Sequence, residues 1–133
     1  MSRIAPQESY GLALSLLDKN RELLVIAQKS ARVLTGHFST LRTKIKDLQL
    51  LILTLEQLGL TVALDTYIRG GGRQQVKAEV VAVLKGDCDI GWSRNPDGSF
   101  DLIADLWGVA QSYNQTELIT SIYRQYEQNA LLG

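Results

Sequence analysis

DIGWSRNPDGSFDLIADLWGVA, residues 89–110, is the stretch that decides the fold. Asn95, Pro96, Asp97 and Gly98 punctuate it: proline presets φ for the second position of a turn, and glycine takes the left-handed position that follows. That turn chemistry predicts a tight antiparallel hairpin with a bulge, its strands at about Cys88–Ser93 and Ser99–Leu106.

Working back from the hairpin, the run VKAEVVAVL within Gln75–Leu84 reads as a further strand, and Thr61–Ile68 as another, with Val62, Leu64, Thr66 and Ile68 on one face. Between these two lies RGGGRQ. Three successive glycines permit positive φ, so the segment reads as a mobile hairpin loop flanked by Arg69 and Arg73. Phe38–Ile45 alternates Leu41, Thr43 and Ile45 against Arg42 and Lys44 and predicts the first strand. Asp47 can cap a helix whose apolar stripe is Leu48, Leu51, Leu55 and Leu58 and which Gly59 closes. Forward of the hairpin, Asn114 can cap a last helix, with Glu117 three residues on, that buries Leu118, Ile119, Ile122 and Tyr126.

The order strand, helix, four strands, helix predicts an α+β domain: a mainly antiparallel five-stranded sheet with two helices on one face, the other face open or available to a partner. Residues 1–36 have a different texture. They carry five basic residues against three acids, and Leu16, Leu23, Leu24, Ala27, Ala31 and Leu34 recur at helical spacing before Gly36. They read as an N-terminal helical extension (1–36) to a domain at 37–133, with a short strand over Leu23–Ala27 as the competing reading.

The 133 residues fit one domain, and 45% apolar with 21% charged residues is an ordinary globular composition. A net charge of zero removes the long-range attraction by which basic domains find nucleic acid or anionic lipid. No apolar run reaches the roughly 18 residues of a membrane span. The front lacks the unbroken apolar core of a secretory signal, and Glu8, Asp18 and Glu22 do not suit a transit peptide. Cys88, the single cysteine, forms no disulfide framework or zinc site and reads as a structural thiol in a reducing compartment.

Several constellations invite a chemical reading. Arg69 and Arg73 beside the glycines are candidate anion-binding side chains, but the spacing matches neither phosphate-loop pattern and strands lie on both sides. Asp87, Asp89, Asp101 and Asp105 gather carboxylates of the kind hard cations prefer, although a solvated acidic strand edge is the favoured reading. A metal-dependent enzyme using this group is therefore one alternative. A single-stranded RNA binder, stacking bases on Phe38, Tyr67, Trp92 or Phe100, is another, and neutral charge argues against it. His37 has no partner of catalytic spacing. Trp92, Phe100 and Trp107 fill a core or, on an uncovered face, anchor a partner; with Arg94 and Asp101 they form the candidate partner-binding set. No catalytic, cofactor-binding or metal-ligating residue is assigned, and a non-enzymatic protein-partner-binding module is the preferred reading.

HFSTLRTKI (His37–Ile45), VVAVLKG (Val80–Gly86), the hairpin stretch Asp89–Ala110 and NQTELI (Asn114–Ile119) together resemble the family of hypothetical chloroplast reading frame thirty-five, of cyanobacteria and algal plastids. The resemblance covers His37 to the C-terminus. It implies an uncharacterised accessory protein of the cyanobacterial cytoplasm or plastid stroma, without known catalytic residues, in a setting shared with ferredoxin-like and AAA-type ATPase proteins. Members of that family begin with Met and Ser just before HFSTLRTKI, so residues 1–35 are a departure: an added helix or a start codon assigned too far upstream.

Overall fold

Asp47 begins the first helix as its side chain suggests: in the computed structural model, which describes residues 37–132, its carboxylate accepts the Leu50 amide proton at 3.0 Å. That helix, α1 (Leu48–Gln57), buries Leu51, Thr54 and Leu55 and ends before Gly59, whose φ of +78° lets the chain turn into β2. The expected extension at 1–36 lies outside the described residues.

The strands are β1 (Ser39–Arg42), β2 (Thr61–Tyr67), β3 (Lys77–Val83), β4 (Ile90–Arg94) and β5 (Phe100–Ala104). They form one five-stranded sheet in the order β1-β5-β4-β3-β2, every neighbouring pair antiparallel. The meander from β2 to β5 is as the short connections require. β1 lies against β5, at the opposite edge from β2, so α1 carries the chain across the full width of the sheet. Asn95 bonds to Ser99 and Gly98 to Asn95, and Gly98 sits at φ +92°, which closes the β4–β5 hairpin.

After β5 the sequence reading continues the strand to Leu106, whereas the structure turns at Asp105 into a short helix, α2 (Leu106–Ala110), capped by the Asp105 carboxylate on the Gly108 amide at 3.1 Å. The last helix, α3 (Gln115–Leu132), starts where Asn114 accepts the Glu117 amide proton at 3.1 Å. It buries Ile119, Ile122 and Tyr123, with Leu118 and Tyr126 half-buried against the same core. Asn129 donates to Thr54 at 3.0 Å and to Gln57 at 2.8 Å, which locks α3 to α1.

All three helices pack on one face of the sheet, in a cluster with Leu41, Val80, Ala82, Ile90, Trp92, Phe100, Leu102 and Ala104. The opposite face is not bare, contrary to expectation. Ile68, Ala78, Val81 and Ile103 are buried there, with Phe38 and Val76 packed against them.

The predicted shared face of Val62, Leu64, Thr66 and Ile68 does not hold. Pairing with β3 stays in register from Leu64↔Val80 to Thr66↔Ala78, but Asp65 between them adopts φ +50°, a left-handed conformation that Asp tolerates better than most residues. Alternation reverses there, so Val62 and Val80 meet the helices while Ile68 and Ala78 belong to the other face.

Candidate functional site

Most of the side chains that the sequence singles out are consumed inside the fold. Arg69 is held by partners inside the fold. Its guanidinium donates to Asp89 at 2.7–3.0 Å and to the Leu84 and Gly86 carbonyls at 2.7 and 2.8 Å, and hydrogen bonding to Asp89 raises its pKa further. Arg73 is exposed. The glycine segment is docked on the rest of the fold: Gly71 donates its amide to Asp105 at 3.0 Å, its backbone lies against the Phe38 ring, and Gln74 accepts the Phe38 amide proton at 2.8 Å. Gly70, Gly71 and Gly72 all have positive φ.

The aspartates likewise divide among structural tasks. Asp89, 2% exposed, also accepts the Arg69 and Leu84 amide protons. Asp105 is buried and joins the glycine loop to α2, while Asp101 accepts from Asn95 at 2.7 Å. Only Asp87 of the four is exposed, so a solvated acidic edge does not describe the group. Among the described residues no three metal-ligating side chains come together. Cys88 lies buried between the backbones of Gly70 and Gly108, and burial, reinforced by Asp105, Asp87 and Asp89, pushes its thiol pKa up, away from nucleophile chemistry.

In the candidate partner-binding set, Trp92 and Phe100 are both 0% exposed. They are core residues and offer no surface to a protein or to a stacked base. Arg94 lies over the Phe100 ring at 4.2 Å and donates to the Lys46 and Gly98 carbonyls, closing the hairpin end. Trp107, 44% exposed on α2, is the aromatic member that does reach the surface.

The site that emerges lies elsewhere. A groove of about 460 Å³ runs between the chain leaving β1 and the last two turns of α3, lined by Thr43, Lys44, Ile45, Tyr123, Tyr126, Glu127, Ala130 and Leu131. Local chemistry shapes both walls. Thr43 donates its hydroxyl to the Phe100 carbonyl and accepts the Ile45 amide proton at 3.1 Å, which turns the chain along the helix. The Tyr126 hydroxyl then accepts the Lys46 and Asp47 amide protons at 3.3 and 3.2 Å and ties the two walls together. On the helix Tyr123, Glu127 and Ala130–Leu131 recur at helical spacing, so one stripe faces the opening.

Tyr123 lines the groove from the helix side. Its hydroxyl is buried and makes no hydrogen bond among the described residues, and burial raises its pKa. A buried phenol without a partner loses about 1–3 kcal/mol of hydration. Lys44 and Glu127 supply opposite charges to the same opening, and neither is in an ion pair among the described residues.

Residues 54–133 match the model of a family described as protein of unknown function (DUF1257). The chain belongs to that family. The DUF1257 match takes in α1 from Thr54, then β2 through α3, and so contains the helical wall of the groove; the Thr43–Ile45 wall precedes it. No curated protein and no solved structure gives a match. Sequence reasoning missed this site because its walls are about eighty positions apart, and Tyr126 and its neighbours read simply as the buried stripe of a helix.

Proposed function

We propose that this DUF1257 protein is a non-enzymatic partner-binding module and that the groove beside α3 takes an apolar segment of a protein. The observation that carries this reading is the largely apolar groove walled by Ile45, Tyr123, Tyr126 and Ala130, with Leu131 standing 87% exposed at its edge. A largely apolar recess is suited to being filled, and exposed leucine beside it is suited to being covered. The stretches that resemble hypothetical chloroplast reading frame thirty-five support a cyanobacterial or plastid setting, with a ferredoxin-like or AAA-type ATPase system as its surroundings. A photo-crosslinking amino acid at Ala130, in the full chain expressed in such a host, should trap one protein in an adduct of defined mass. The same group at Asp65, on the far edge of the sheet, should trap none. Equal adducts at both positions, or none at Ala130, would sink the proposal.

We also propose that residues 37–133 are the folding unit. The described residues close a two-sided core around one sheet, so a chain lacking residues 1–35 is expected to unfold cooperatively, with a melting temperature within a few degrees of the full chain. Loss of a sharp transition on truncation would move the boundary upstream.

A further inference from the structure

We infer that the segment received by the groove is the Leu131–Leu132 end of α3 from a second copy of this chain, so that two copies complete one another's sites around a two-fold axis. The inference rests on the partner-binding reading above and names the partner. Projection and recess occupy one surface: Leu131 lines the groove, and Leu132 beside it is 83% exposed, so each copy presents an apolar knob next to an apolar hole. An isologous contact requires this, because the same patch must serve as donor and as receiver. The charges at the rim satisfy the same rule. Lys44 and Glu127 are in no ion pair among the described residues, and a two-fold axis placed between the two grooves so that Lys44 of each copy meets Glu127 of the other would form two reciprocal pairs from one pair of residues. A net charge of zero leaves no long-range repulsion between copies.

Sedimentation equilibrium on the full chain tests this. A reversible dimer is expected, and Leu131→Glu should weaken it tenfold or more; because Leu131 is solvent-exposed, the variant's circular dichroism melt should match that of the parent at a dilution where both are monomeric. Lys44→Glu and Glu127→Lys should each weaken association, and the double exchange Lys44→Glu with Glu127→Lys should restore most of it, an outcome that general surface damage would not produce. A chain that stays monomeric up to millimolar concentration overturns the inference, as does a dimer indifferent to Leu131→Glu or a double exchange no better than either single change. Crosslinks from Ala130 into residues 1–36 of the same chain would overturn it too, by assigning the groove to the leading segment. If the full chain is monomeric while the Ala130 probe still traps a different protein, the partner-binding reading stands and only the second copy is excluded. If the probe traps nothing and the chain is monomeric, both fall.

Discussion

Replacing Asp89 by alanine should cost the fold about 3 kcal/mol, the low end of the range of about 3–5 kcal/mol for removing one member of a buried ion pair. The carboxylate ties Arg69, twenty positions back, to the β3–β4 connection that runs from Leu84 to Asp89 itself. It accepts from the Arg69 amide at 3.0 Å, the Arg69 guanidinium at 2.7 Å and the Leu84 amide at 3.1 Å, while its own amide donates to the Arg69 carbonyl at 3.0 Å. Alanine leaves the Leu84 amide buried without an acceptor, and the guanidinium still tied to two carbonyls with no counter-charge. The low end applies because the Arg69 side chain is 46% exposed and water can reach it once Asp89 is gone. Asparagine should recover part of the loss, since its oxygen can still serve the Leu84 amide, although its NH2 then faces the Arg69 donors. Urea unfolding of the two variants and of Arg69→Ala, with the double variant closing the cycle, gives the coupling. A loss below about 1 kcal/mol for Asp89→Ala would mean that the pair does not tie the glycine loop to β3 and β4 as described.

Gly108→Ala should destabilise by about 1–3 kcal/mol, and the sign is the informative part. Gly108 lies inside α2, where helix propensity by itself favours alanine by about 1 kcal/mol. Here an added Cβ would overlap the Cys88 sulfur and crowd the Asp105 carboxyl carbon at 3.3 Å, in a place where neither can withdraw without disturbing the cap of α2. Cys88→Ala removes the sulfur. The double variant Cys88→Ala with Gly108→Ala should therefore be more stable than Gly108→Ala alone, even though Cys88→Ala by itself costs some packing. Thermal unfolding of the four proteins in the cycle checks this. If Gly108→Ala raises the melting temperature, as propensity predicts, the close seating of α2 on the thiol is wrong.

The elements that sequence reading places correctly are those whose determinants lie within a few residues. Asp47 and Asn114 cap helices through side chain to backbone bonds three positions long, and Asn95–Gly98 closes a hairpin on itself. Readings that needed a distant partner went astray. Arg69 and the glycines beside it resemble an anion loop until Asp89 and Asp105, twenty and thirty-four positions away, take up their donors. Trp92 and Phe100 resemble anchors until the helices cover them. α2 escapes notice because five residues carry too little periodicity to stand out from the end of a strand.

By itself, then, the sequence determined the order of the five strands and the two long capped helices, the antiparallel meander and an α+β class, because turn chemistry, capping and alternation are short-range. Three things were left to the tertiary structure: the placement of β1 against β5 at the far edge from β2, the reversal of facing at Asp65, and the groove between Thr43–Ile45 and α3. Each depends on where surfaces meet after a crossover that spans the sheet. Neither the free energy of burying an apolar stripe nor that of leaving Tyr123 unpartnered has a value until the facing element is in place.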